Sequence, residues 1–125
     1  SVIANMLVYA DDRGRKARAV MARDPEWAAP EHWKAEVFSV LRGLTLGGKI
    51  TVVQGERAVS RIPLLGVDHV SVDPLLRRMW QIRGMISGYD AAYVALAEAR
   101  DLTLVTADAR LARTATSYCR VELAS

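Results

Sequence analysis

The stretch GYDAAYVALAEARDLTLVTADARLAR, residues 88–113, constrains the fold more than any other part of the sequence. Its alanine-rich first half predicts a helix from Tyr89 to Arg100, and the apolar run after it predicts a strand from Leu102 to Thr106. Asp108 then begins a second, short helix. This order favours a parallel sheet, because consecutive parallel strands must be joined by a crossover that is usually helical.

The rest of the chain continues the alternation of helices and strands. Apolar residues from Trp33 to Leu44 recur at three- and four-residue steps, which predicts a helix that Pro30 opens and Gly47-Gly48 ends. The other expected elements are a strand from Val2 that runs into a brief helix near Tyr9, a helix Arg15–Arg23 ended before Pro25, a helix Ile50–Arg61 ended before Pro63, a strand Val67–Val72, a helix from Asp73-Pro74 to Ile82, and a strand Cys119–Leu123. We therefore expect one α/β domain over residues 1–125, with a mainly parallel sheet covered on both faces.

Length and composition exclude several classes of protein. A chain of 125 residues, 51% of them hydrophobic, can bury its own core but leaves no room for two domains. No apolar run reaches the roughly 18 residues that a membrane-spanning helix needs. Cys119 is the only cysteine, so an internal disulfide is excluded, and His32 and His69 do not pair as metal ligands. We expect a cytoplasmic protein.

Three acidic residues fall where a ligand site is expected. Asp108 directly follows a strand, at the edge of a parallel sheet where ligands bind. Asp90 begins its helix, and Asp90 and Glu36 both border the apolar stripe of their helices, which predicts half-buried carboxylates. If the three converge they repel one another, and a hard divalent cation such as Mg²⁺ or Mn²⁺ relieves that repulsion.

Simpler interpretations of the same residues remain open. Asp90 and Asp108 are also good helix N-caps, and Glu36 could be a solvated helix residue. Tyr89 and Tyr93 fit a core position better than a base-stacking one.

The basic residues are unevenly distributed in a chain of net charge +3. One cluster contains Arg13, Arg15, Lys16 and Arg18, and another contains Arg77, Arg78 and Arg83. Such clusters fit a polyanionic partner, because guanidinium groups bind phosphate oxygens in pairs. A solvated arginine-rich surface explains them equally well.

The sequence YDAAYVALAEARDLTLVTADARLAR closely resembles the C-terminal signature of PIN-domain ribonucleases, in particular the VapC-type toxins of bacterial toxin–antitoxin pairs. The similarity extends upstream to WAAPEHWKAEVFSVLRG and LLRRMWQIRGMISGYD, and so covers most of the chain. The combined pattern is far more specific than one short motif.

This resemblance implies a PIN-like three-layer α/β/α sandwich with a mainly parallel central sheet and an acidic site that cleaves RNA with Mg²⁺ or Mn²⁺. Glu36, Asp90 and Asp108 match the family's catalytic and metal-binding acids. Asn5 and Thr106 match supporting polar residues near the metal. The family also implies a homodimer, a cognate VapB-type antitoxin and an RNA substrate. Arg83, or Arg13, Arg15 and Lys16, would then hold the RNA backbone.

One position departs from the family pattern. The family's first strand ends in an aspartate that ligates the metal, and Ile3 aligns with that position here. A deletion, an engineered change and residues absent from this sequence are the three open explanations. Loss of one carboxylate from such a site predicts a reduction in activity of about 10²-fold or more. A PIN-like module that binds an antitoxin or RNA without cleaving it is therefore the alternative. A phosphoacceptor signalling domain is disfavoured, because no lysine follows the last core strand.

Overall fold

The computed structural model describes residues 2–24 and 26–124. Within these residues the chain forms seven α-helices and four short strands. In chain order they are α1 (Val2–Val8), α2 (Asp12–Ala22), β1 (Trp27–Pro30), α3 (Trp33–Leu46), α4 (Val52–Arg61), β2 (Val67–Val70), α5 (Leu76–Gln81), α6 (Gly88–Arg100), β3 (Leu104–Thr106), α7 (Ala109–Ala115) and β4 (Val121–Leu123). Short 3₁₀ turns, Ile62–Leu64 and Asp73–Leu75, precede β2 and α5.

All pairing between the described strands is parallel. β1 pairs with β2 from Trp27 opposite Val67 to Pro30 opposite Val70. β3 pairs with β4 from Leu104 opposite Val121 to Thr106 opposite Leu123. The predicted α/β sandwich with parallel strands is confirmed, and its described strands form two separate pairs.

Most of the predicted elements are present with shifted ends. The helix ended by Gly47-Gly48, the helix closed before Pro63 and the helix–strand–helix order after Gly88 are all confirmed. The predicted helix before Pro25 is α2, which begins earlier than expected because Asp11 caps it by accepting a hydrogen bond from the Arg13 amide. Pro25 itself lies outside the described residues.

Two predictions of secondary structure are wrong. The segment Val2–Val8 is helical from its start, because its apolar residues four positions apart, such as Val2 and Met6 or Ile3 and Leu7, pack on a helical face. Pro30 does not open a helix but ends β1, and α3 begins at Trp33.

Helix α6 lies between the two strand pairs, and its alanines explain how it fits there. Six residues in the middle of this helix are buried, and four of the six are alanine: Ala91, Ala92, Val94, Ala95, Leu96 and Ala97. The helix contacts both β1 and β3. Small side chains allow such close approach of a helix to its neighbours on several sides, so α6 joins the two halves of the molecule.

Helices α1 and α2 pack unusually tightly at one point. A Cβ atom on Gly14 would lie 1.7 Å from the Tyr9 carbonyl oxygen. Arg18 donates hydrogen bonds to the carbonyl oxygens of Tyr9 (2.8 Å) and Met6 (3.2 Å), at the C-terminal end of α1. Part of the basic cluster therefore satisfies helix-end carbonyls. Across residues 2–24 and 26–124, no helix is both long and apolar enough to span a membrane.

Candidate active site

The three predicted acids line one cavity of about 790 Å³. Glu36 comes from the first turn of α3, Asp90 from the first turn of α6, and Asp108 from the residue that caps α7. Thr106 and Ile3 also line this cavity. We call it the acidic cavity, and it lies where β3 ends, as expected for a ligand site in a parallel α/β fold.

Asp90 is half-buried, as the sequence predicted. Burial raises the pKa of its carboxyl group above the ordinary value of 3.8, and the negative charges of Asp108 and Glu36 raise it further. A hydrogen bond from the Ser87 hydroxyl to Oδ2 (3.3 Å) acts in the opposite direction. The three carboxylates are therefore close enough to interact electrostatically.

Glu36 is half-buried, and two side chains lie close to its carboxylate. The Tyr93 hydroxyl donates a short hydrogen bond to Oε1 (2.6 Å), joining α3 to α6. Burial, and then this bond to the carboxylate, raise the pKa of Tyr93 far above its ordinary range, so its hydroxyl stays protonated as a donor. His32 Nε2 lies 3.3 Å from the same oxygen but forms no hydrogen bond with it, and this nitrogen is buried without a partner among the described residues.

Asp108 is exposed, not half-buried as expected. Its Oδ1 accepts hydrogen bonds from the amides of Arg110 (2.9 Å) and Leu111 (3.2 Å), so it does cap α7. The Thr106 side chain is buried, and its Oγ1 accepts a hydrogen bond from the Asp108 amide (3.1 Å). Capping holds the Asp108 side chain at the cavity. Asp108 can therefore be both the N-cap of α7 and an acid of the site.

The donor set of the acidic cavity suits a hard divalent cation, since it consists of carboxylate oxygens that repel one another. Two arginines also line the cavity, but Arg23 is paired with Glu122 and Arg120 with Asp101. In the part of the chain that the structure describes, no three Asp, Glu, His or Cys residues form a ready-made metal cluster. A cation would have to draw the carboxylates together or reach some of them through water, as Mg²⁺ often does.

The two candidate residues in α1 differ in position. Ile3 lies on the wall of the acidic cavity, in a helix and not at the end of a strand. Asn5 is half-buried in the same helix and is not among the described residues that line the cavity.

The basic candidates lie elsewhere on the described surface. Arg13 is paired with Asp11 (2.8 Å) and sits over the Tyr9 ring, 3.6 Å from its centroid. Arg15 is paired with Asp12, and Lys16 is exposed on α2. The Arg83 guanidinium lies 4.1 Å from the centroid of the Trp80 ring. None of the four lines the acidic cavity, and their role in binding RNA stays a prediction.

Sequence reasoning missed a second, open cavity of about 640 Å³ beside the first. It is lined by His32, Val72, Met79, Ser87, Gly88, Tyr89 and Ala92 and shares Glu36 and Asp90 with the acidic cavity. We call it the aromatic groove. The assignment of Tyr89 to the core is wrong, because 71% of its surface is exposed. The four-residue spacing of His32 and Glu36 was a signal that the two side chains meet.

Comparisons with known proteins agree on one family. A sequence model of the PIN domain matches residues 1–117. Ribonuclease VapC9 of Mycobacterium tuberculosis is 41% identical over 87 residues, which cover 70% of this chain and 68% of the relative. In the same organism, ribonuclease VapC3 is 35% identical over 113 residues, covering 90% and 82% of the two chains. Ribonuclease VapC1 is 38% identical over 96 residues, covering 76% and 72%.

Proposed function

Because the chain belongs to the PIN domain family, we propose that it is a metal-dependent endoribonuclease, the toxin of a VapBC-type toxin–antitoxin pair. The observation that carries the proposal is that Glu36, Asp90 and Asp108 line one cavity. There the negative charges of Glu36 and Asp108 contribute to the raised pKa of Asp90. The similar VapC proteins named as ribonucleases support the same reaction.

In the proposed reaction, Asp90, Asp108 and Glu36 hold Mg²⁺ or Mn²⁺. The bound ion would activate water and stabilise negative charge on the scissile phosphodiester. Other residues of the chain hold the carboxylates in position. Tyr93 occupies Oε1 of Glu36, which leaves Oε2 to orient a water molecule or bind the ion. The capping bonds at Oδ1 of Asp108 leave its Oδ2 for the same purpose.

We infer the partners of this protein from its membership of the PIN domain family. They are an RNA substrate, a VapB-type antitoxin and a second copy of this chain in a homodimer. We propose that residues 1–125 act as one PIN domain in these interactions and that the basic residues Arg13, Arg15, Lys16 and Arg83 contact the RNA backbone.

Ile3 supports a second candidate function. Ile3 lies on the wall of the acidic cavity and contributes no oxygen ligand. A site short of one carboxylate holds a cation more weakly. The alternative is a PIN-like module that binds antitoxin or RNA and cleaves little or none.

RNA cleavage with Mg²⁺ or Mn²⁺, compared with EDTA, tests the proposed activity. We expect cleavage only with metal, and a decrease of about 10²-fold or more in Glu36→Gln, Asp90→Asn and Asp108→Asn. Glu56→Gln, an exposed acid on α4 away from the cavity, is the matched control and should cleave like the wild type.

The substitution Ile3→Asp separates the two candidates. It places a carboxylate on the cavity wall, and we expect it to raise the cleavage rate by about 10²-fold. If neither the wild type nor Ile3→Asp cleaves RNA with either metal, while both still bind it, the module that binds without cleaving is correct.

A further inference from the structure

The aromatic groove contains an aromatic ring whose exposure the fold does not explain. Tyr89 stands in the first turn of α6, next to Asp90, and 71% of its surface is exposed. Ala91, two positions further along the same helix, is buried in the core. A large exposed aromatic side chain beside a candidate catalytic acid is a surface on which a ligand can pack.

Other rings fix the position of Tyr89. Its ring centroid lies 5.1 Å from that of His32, with the planes tilted by 45°. The His32 ring meets Tyr93 edge-on, with centroids 5.8 Å apart and planes at 83°. Tyr93 in turn holds Glu36 through its hydroxyl group. The exposed ring is therefore supported by a continuous set of contacts that ends at the acidic cavity.

The chemistry of the groove selects the kind of ligand. Its wall is largely apolar and aromatic, with Val72, Met79 and Ala92 beside the rings. Its carboxylates, Glu36 and Asp90, would repel a phosphate group. A nucleobase suits this wall, because it is flat, carries no charge and stacks on aromatic side chains whatever its identity.

We propose that the aromatic groove binds a nucleobase of the RNA, stacked on Tyr89, next to the phosphodiester held in the acidic cavity. This rests on the proposed ribonuclease function. The two cavities share Glu36 and Asp90, so a base in one and its neighbouring phosphate in the other belong to adjacent parts of one strand. The groove would then position the single-stranded substrate for cleavage.

The test uses short single-stranded RNA that carries 2-aminopurine at each position in turn. Binding is measured in EDTA, so that the affinity does not depend on cleavage. We expect quenching of 2-aminopurine fluorescence at one position with the wild type. Tyr89→Ala should lose that quenching and bind about tenfold more weakly, whereas Tyr89→Phe should keep both. Phe38→Ala removes an aromatic side chain that is 49% exposed on α3, outside the groove, and should bind like the wild type.

Cleavage kinetics with Mn²⁺ provide a second measurement. A base held equally in the ground state and the transition state affects KM and leaves kcat unchanged. We expect Tyr89→Ala to raise KM about tenfold at constant kcat, with the thermal midpoint unchanged because the side chain is exposed.

The outcomes are distinguishable. If the wild type binds and cleaves RNA but Tyr89→Ala does so equally well, the base-binding groove is refuted and the ribonuclease function stands. If Tyr89→Ala leaves RNA binding unchanged but shifts the mass of the protein in solution, the groove is a contact between protein chains. If the wild type neither binds nor cleaves RNA, both proposals fail.

Discussion

Asp90 combines partial burial with repulsion from two other carboxylates. Its raised pKa means that the folded protein disfavours the charged form, mainly through burial and then through Asp108 and Glu36. The favourable position at the start of α6 does not cancel this effect. A side chain kept at such a cost in stability is typical of a functional site.

We expect Asp90→Asn to stabilise the protein at pH 7. For an acid with a raised folded pKa, the unfolded chain loses its proton first, so stability falls as pH rises from about 3.8 through the folded pKa. The amide side chain of Asp90→Asn does not ionise, so the variant does not lose this stability. The thermal midpoint of Asp90→Asn should therefore exceed that of the wild type at pH 7.

The same comparison below the ordinary pKa of aspartate serves as the control. There the wild-type carboxyl group is protonated in both states, and the difference between the two proteins should disappear. A lower midpoint for Asp90→Asn at pH 7 would contradict a raised pKa of Asp90 in the folded protein.

At the level of single residues, the acids could be predicted but their partners could not. The border position of Asp90 and Glu36 on an apolar stripe follows from helical periodicity. The hydrogen bond from Tyr93 to Glu36 joins residues 57 positions apart on different helices, and no local pattern encodes such a contact. Asp108 was expected to be half-buried, but a cap at the start of a short helix faces solvent.

Among the secondary-structure elements, the N-terminal helix pair shows where local patterns mislead. An apolar segment as short as Val2–Val8 fits a strand or a helix equally well, and packing on α2 and α4 decides for the helix. Pro30 could open a helix or end a strand, and pairing with Val70 decides for the strand. Longer elements such as α3 and α6 were correctly predicted to be helical, because several turns of periodicity leave no second choice, although the predicted start of α3 at Pro30 was wrong.

Gly14 tests the packing of α1 on α2. In Gly14→Ala the new methyl group would collide with the Tyr9 carbonyl oxygen, a backbone atom that cannot move aside alone. We expect a decrease of about 1–3 kcal/mol or more in the free energy of unfolding, measured with urea.

Gly43→Ala is the matched control within a helix. Apart from the neighbouring backbone of α3 itself, no atom lies within 4 Å of a Cβ at this position. The substitution should therefore raise the free energy of unfolding by about 0.5–1 kcal/mol through helix propensity. Equal stability of Gly14→Ala and the wild type would mean that the two helices are not packed this closely.

For the whole molecule, stability and metal binding should be linked. Glu36 belongs to the half built around β1 and β2, whereas Asp108 follows β3 in the other half. A cation bound by both stabilises only the folded state, by about 2.7 kcal/mol at a concentration of 100 Kd.

We therefore expect Mn²⁺ to raise the thermal midpoint of the wild type in calorimetry, and EDTA to reverse the increase. Asp90→Asn should show a much smaller increase, and Glu56→Gln should respond like the wild type. An equal response of Asp90→Asn to Mn²⁺ would place the metal outside the acidic cavity.

The position of α6 between the strand pairs has a mechanical consequence. Because α6 contacts both β1 and β3, its packing sets how far the half that carries Glu36 lies from the half that carries Asp108. An ion bound by both carboxylates would connect the two halves directly and should slow backbone amide exchange on both sides of α6 at once.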